Sequence, residues 1–128
     1  MEKTKVVLCD TNIIIEFYKG NAAILKSLRS IGQENITVSI VTFGELIYGA
    51  INKTDLSKIN KDIAHLQILF IDQDVCDRFL KIMISYSLSH NLSLPDGFIA
   101  TAAIANNIPL YTLNRKDFRY IKELKLWK

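Results

Sequence analysis

The sequence predicts an α/β domain in three layers, α/β/α, with a mostly parallel central sheet of four to five strands. Three observations carry this expectation. Short apolar runs rich in β-branched residues alternate with segments of helical character, the pattern of strand–helix–strand units. Each run is brief and continuously apolar, as strands buried on both faces are. Two of them stop abruptly on a polar residue, Asp10 and Asn114, where the carboxyl edge of a parallel sheet would lie.

The elements follow in order. Val6-Val7-Leu8-Cys9 is the first strand and ends on Asp10-Thr11-Asn12. Asp10 or Asn12 can cap a short helix from about Ile13 to Tyr18, and Gly20-Asn21 breaks it. Ala22 to Arg29 reads as a second helix ending near Gly32. Ile36 to Ile40 is β-branched and forms the second strand. From Thr42 the pattern turns helical, with Glu45, Tyr48, Gly49 and Asn52 on one face. A further helix, roughly Leu56 to Leu66 behind a Thr54-Asp55 cap, completes a helical hairpin. Leu69-Phe70-Ile71 is a brief third strand. Asp74 then caps a helix to about Ser89, where the helix dipole favours Asp74 and Asp77. Pro95-Asp96 opens the most apolar helix, to about Asn106. Ile108 to Leu113 supplies the fourth strand, and Leu124 to Trp127 a last short one. No repeat, linker or low-complexity segment interrupts the 128 residues, which read as one domain.

Composition excludes several classes. About half the residues are hydrophobic, enough for a core without disulfide staples. Cys9 and Cys76 lie in apolar settings with no paired spacing, and no signal peptide follows Met1-Glu2-Lys3, so two reduced cysteines in a cytoplasmic protein are expected. No apolar run approaches the ~20 residues that span a bilayer. Net charge is +3, but six of the last fourteen residues are basic: Arg115, Lys116, Arg119, Lys122, Lys125 and Lys128. That skew is compatible with a polyanionic partner.

Three acids sit in apolar sequence: Asp10 after the first strand, Glu45 inside Ile40 to Tyr48, and Asp96 before an uncharged run to Ala105. An ionised carboxylate in apolar packing costs several kcal/mol unless paired. No Lys or Arg lies between Ser30 and Ile51 or between Ile82 and Asn114, so an organic counter-ion must come from a distant segment. A divalent metal is the simpler partner, because Mg²⁺ and Mn²⁺ take oxygen ligands from separate segments. If the sheet is parallel, Asp10, Glu45, Asp96 and Asn114 meet on one edge. Each also has an ordinary structural account. Asp10 can be a helix cap, Asp96 helix-start punctuation after Pro95, Asn114 a turn residue and Asp117 a cap near Phe118; Glu45 has the weakest such account.

The pieces Leu8-Cys9-Asp10-Thr11-Asn12, Thr42-Phe43-Gly44-Glu45-Leu46, Pro95-Asp96-Gly97-Phe98-Ile99-Ala100-Thr101-Ala102-Ala103 and Tyr111-Thr112-Leu113-Asn114-Arg115-Lys116-Asp117-Phe118 occur in this order across nearly the whole chain. With them the sequence resembles a PIN domain, and within that group a VapC-type toxin of a toxin–antitoxin pair. The resemblance implies a PIN-like fold and a Mg²⁺- or Mn²⁺-dependent endoribonuclease. Asp10, Glu45 and Asp96 match the acidic metal ligands, Asp117 matches a further catalytic acid, and Thr11, Asn12, Thr112 and Asn114 match supporting groups. The family often has an acid where Asn114 stands, so the departure bears on a second metal. The implied reaction is hydrolysis of an RNA phosphodiester by a water that the cation activates, leaving 5′-phosphate and 3′-hydroxyl ends. Arg115, Lys116 and Arg119 would hold flanking phosphates, with Lys26 and Arg29 as weaker candidates. A cognate antitoxin and a homodimer are implied as partners. The apolar hairpin around Phe43, Leu46, Ile47, Tyr48 and Ile51 is the expected antitoxin surface, and a cation from the antitoxin could enter the acidic pocket. His65 and His90 fall away from these motifs and read as structural.

Two rivals remain. A PIN-like module that binds RNA or a partner without cutting gains from Asn114 and loses from the three intact acids. A receiver or haloacid-dehalogenase-like protein also places an Asp after its first strand. The phosphatase pattern wants a second Asp where this chain has Asn12, and the receiver wants a Lys where it has Asn114.

Overall fold

A computed structural model describes residues 5–128, so the start Met1-Glu2-Lys3 lies outside the described residues. The strands are β1 (Val7–Cys9), β2 (Ile36–Ser39), β3 (Gln67–Leu69) and β4 (Leu110–Tyr111). They form one sheet in the order β3-β2-β1-β4, with every pairing parallel. A single parallel bridge from Leu126 to Leu110 is what remains of the expected fifth strand.

Alternating side chains feed two cores, as the period of two in a strand requires. Val7 and Cys9 of β1 join Tyr111 of β4 in one cluster, with Ile13, Ile24, Leu28, Ile59 and Ile63 from α1 (Thr11–Tyr18), α2 (Ala22–Ile31) and α4 (Lys53–Ala64). Leu46 of α3 (Ile40–Tyr48) belongs to the same cluster. Leu8 and Leu110 face the other way, onto Ile82, Ile99, Ala100 and Ala103 from α5 (Gln73–His90) and α6 (Leu94–Ala105). The expected three layers, helices on both faces of a parallel sheet, are therefore what the chain adopts. Among the described residues no helix is long and apolar enough to cross a membrane.

The boundaries differ from expectation in one consistent way: helices start earlier because their caps lie upstream. Ser39 ends β2 and at once caps α3, its hydroxyl accepting from the Thr42 N–H at 3.1 Å. Asn52 caps α4, Asp72 caps α5 and Ser93 caps α6, in place of Thr54-Asp55, Asp74 and Asp96. β3 lies two residues before Leu69-Phe70-Ile71, because Gln67–Leu69 pair with Thr37–Ser39 of β2 while Phe70 and Ile71 are exposed beyond the sheet. β4 is only two residues long, since Pro109 has no N–H to donate and Asn107 turns at φ 53°. Cys76 is exposed on α5 rather than in an apolar setting, whereas Cys9 is fully buried.

Two features place the start of α6. Asn91 takes the left-handed conformation at φ 54° and reverses the chain after α5. Gly97 lets α6 approach α5, since a Cβ there would meet Met83 Sδ at 2.6 Å and Phe79 Cε1 at 3.1 Å. The Phe79 and Phe98 rings stack at 3.7 Å beside it.

Candidate active site

Strand order dictates where a site can form. From β1 the chain runs outward through β2 to β3, then returns to β4 on the other side of β1. Adjacent connections thus leave β1 and β4 on opposite sides, opening a crevice at their carboxyl ends, where ligands collect in open α/β sheets. Asp10 follows β1 directly and Thr112 follows β4 directly.

Asp10 is buried, at 5% exposure, and fully engaged. Oδ1 accepts from the Thr11 N–H at 2.7 Å and Oδ2 from the Thr112 hydroxyl at 2.7 Å. Thr112 Oγ1 itself accepts from the Asn114 N–H at 3.0 Å and from Asn12 Nδ2 at 3.4 Å, so its one proton is directed at Asp10. Asn12 closes the loop by accepting from the Leu113 N–H at 3.2 Å. Asp10 is thus both the cap of α1 and a carboxylate held rigidly at the sheet edge.

Glu45 reaches the same edge from the second turn of α3. Thr11 donates to its Oε1 at 2.6 Å, and the Thr11 and Thr42 hydroxyls lie 3.0 Å apart. Contrary to the apolar sequence around it, Glu45 is exposed: the buried side of α3 carries Thr42 and Leu46 instead. Its missing counter-ion therefore costs far less than burial would suggest. Asp96 occupies the first turn of α6, half-buried, its N–H on Ser93 Oγ at 3.3 Å. Asp117 is exposed on a single 3₁₀ turn (Arg115–Asp117) beyond β4.

Asp10 and Asp96 both feel the charges of Glu45 and Asp117. Burial first, and then the charges of Asp10, Asp117 and Glu45, push the Asp96 carboxyl up to about 6, against a lowering bond from Ser93. Burial also raises Asp10, the bonds from Thr112 and Thr11 lower it, and Glu45 and Asp117 raise it again. Ion pairs among the described residues lie elsewhere, at Lys19–Glu16, Lys58–Asp62 and Arg78–Asp74. Among those residues no three His, Cys, Asp or Glu side chains are placed closely enough to chelate an ion as they stand. Oxygen-only acids facing one another without a cation are a donor set for a hard divalent metal. Cys9, next to Asp10, takes no part: burial, then Asp10, pushes its thiol up to about 12.

The other predicted residues divide. Lys116 lines a cavity of about 320 Å³ together with Asp96 and Asp117. Arg115 is committed to the Trp127 carbonyl at 2.9 Å, and Arg119 is exposed on the following turn. Asn114 contributes its backbone N–H, and Asp117 is the fourth acid in the field. Arg29 lines a separate groove of about 790 Å³ that none of the four acids lines, and Lys26 is exposed on α2. Sequence reasoning missed Ser39 and Thr42, whose hydroxyls back Thr11. It also set His90 apart from the motifs, whereas α5 carries it into the cavity beside Asp96.

A model of the PIN domain matches residues 7–124. The chain belongs to the PIN domain family. This PIN domain is 30% identical over 127 residues to Ribonuclease VapC1 of Methanocaldococcus jannaschii, covering 98% of this chain and 87% of that one. Among solved structures it is similar to a toxin–antitoxin complex from Klebsiella pneumoniae, with 26% identity, a TM-score of 0.79 and coverage of 92% and 94%. It is also similar to VapBC-1 of nontypeable Haemophilus influenzae, with 25% identity, a TM-score of 0.77 and coverage of 96% and 97%. DNA-bound VapBC of Salmonella typhimurium shares the fold at a TM-score of 0.84 and 21% identity, covering 95% and 96%.

Proposed function

We propose that this PIN domain is a divalent-metal-dependent endoribonuclease and the toxin of a toxin–antitoxin pair. The observation that carries the reading is that Asp10, Glu45, Asp96 and Asp117 act on one another at the carboxyl edge of the sheet while none of them forms an ion pair among the described residues. Its likeness to Ribonuclease VapC1 and to toxin–antitoxin complexes supports both halves of it. Asp10, Glu45 and Asp96 would hold Mg²⁺ or Mn²⁺, with Asp117 on the flank. When bound, such an ion activates water as a nucleophile and neutralises charge on the phosphoryl group. The protein's own part is positioning. Thr112 and Thr11 orient Asp10, Thr11 orients Glu45, and Ser93 fixes the turn that carries Asp96. Lys116 offers a cation to a flanking phosphate of the substrate.

As a unit, residues 1–128 form one nuclease domain acting in the cytoplasm, as a homodimer bound to its antitoxin until released. Of the expected antitoxin surface, Leu46 is buried in the core, whereas Tyr48 and Ile51 are 93% and 85% exposed and free to meet a partner. The test is incubation of the purified chain with single-stranded RNA. Internal cleavage with Mg²⁺ or Mn²⁺, abolished by EDTA and by Asp10→Asn, is expected. RNA binding without cleavage under every divalent ion would instead favour a non-catalytic module, the reading that Asn114 supports.

A further inference from the structure

The cavity beside Asp96 and Asp117 has a wall that the acids do not explain. His90 ends α5 and is exposed, yet its ring is held firmly. It stacks on Tyr120 at 4.0 Å and 7° from parallel, while Tyr86 meets both rings edge-on, at 5.9 Å and 5.2 Å. The Ser89 hydroxyl lies 2.8 Å from His90 Nδ1, and the Tyr86 hydroxyl accepts from the Lys122 N–H at 3.3 Å. Three rings thus tie the end of α5 to the C-terminal segment at the rim of the site. The Tyr120 hydroxyl is buried without a partner and lies in the field of Asp96 and Asp117. A buried donor left unsatisfied calls for a reason.

Such a cluster is more than packing. An exposed ring backed by a second ring is pre-organised: it loses little freedom when something lies on it. The cavity, about 320 Å³, is at the lower end of the range for small-molecule sites and has room for one nucleotide unit. Asn91 and Ser93 in its lining suit a base edge, and Lys116 offers a phosphate the one cation among the described lining residues, beside the carboxylates of Asp96 and Asp117. Single-stranded RNA is held mainly by unstacked bases lying on aromatic side chains, histidine included.

We infer that His90, backed by Tyr120, is a stacking platform for one nucleobase next to the cleaved phosphate, with Lys116 on that nucleotide's phosphate. This rests on the ribonuclease reading. Because every base has a π-face, the platform contributes affinity and register with little sequence preference.

The experiment uses the full chain in EDTA and a short single-stranded RNA carrying 2-aminopurine at one position at a time. Wild type should quench the fluorescence at each position that a binding register places on His90. His90→Ala should lose that quench and weaken binding roughly 5- to 150-fold. His90→Phe should restore both, and the salt dependence should not change, since no phosphate contact is removed. Unchanged quench and affinity in a folded His90→Ala chain, or failure of His90→Phe to restore them, overturns the platform. The two readings fail separately: a wild type that quenches but never cleaves with Mg²⁺ or Mn²⁺ defeats the nuclease alone. Cleavage with Mg²⁺ or Mn²⁺ but no quench at any position defeats the platform alone, and no quench together with no cleavage under any divalent ion defeats both.

Discussion

Acids in two regions of this molecule live under opposite rules. On the helical surface three are matched: Asp62 takes Lys58 at 3.0 Å and the Tyr18 hydroxyl at 2.9 Å, Asp74 takes Arg78 at 3.0 Å, and Glu16 takes Asn21 and Lys19. Those partners hold the Asp62 and Glu16 carboxyls below their ordinary range. At the carboxyl edge of the sheet burial, and after it the neighbouring acids, push Asp10 and Asp96 up instead. The surface acids are satisfied by the chain itself. Among the described residues the edge acids form no ion pair, and Asp10 and Glu45 take threonine hydroxyls instead.

The contrast breaks most visibly in catalysis. Asp10→Asn or Asp96→Asn should lower RNA cleavage by ~10³-fold or more, since each removes a charged oxygen aimed at the reacting centre. Initial rates with saturating metal measure it, and retention of activity in either variant would mean that the acid replaced serves local structure and not the reaction.

Thr112→Val should cost roughly 10- to 100-fold, the range for groups that orient a ligand. The loss should show in metal affinity, read by titrating Mn²⁺ against activity, because Asp10 remains present but is no longer steered.

A smaller effect concerns pH. The carboxyl of Asp96 is raised from 3.8 to about 6 in the folded chain, so folding takes up a proton between those values. Its favourable contribution is complete below about pH 4 and lost as pH rises through about 6. In EDTA, Asp96→Asn should therefore melt at or below the wild-type temperature near pH 4 and above it at pH 7. The gain is on the order of 1 kcal/mol once solvent screening of this half-buried group is allowed for. A uniform loss at both pH values would mean that Asp96 serves the helix start alone.

The smallest effect belongs to the surface set. Arg78→Ala, which strips Asp74 of its exposed partner, should cost no more than about 0.5 kcal/mol in urea unfolding and leave cleavage unchanged.

Much of this was legible in the chain. Val7–Cys9 followed by Asp10 gave away the buried strand and the carboxyl edge at which it ends, because a parallel strand is continuously apolar and turns polar where the sheet stops. The start of α3 was harder: Ile40 and Val41 are strand-formers by propensity, and only the Ser39 cap turns them into helix. Glu45 was found for a partly wrong reason, since its apolar neighbours are on the other side of α3 and it is itself exposed. Thr42 and His90 were out of reach, because their roles depend on tertiary contacts 31 residues away for Thr42–Thr11 and across the cavity for His90.

The most direct test is Mn²⁺ binding to the purified chain, followed by calorimetry without RNA. Wild type should bind saturably, with its melting temperature rising as Mn²⁺ is added, and Asp10→Asn should abolish both responses while Arg78→Ala keeps them. Absence of binding by wild type, or binding undiminished in Asp10→Asn, would contradict a cation site at the sheet edge.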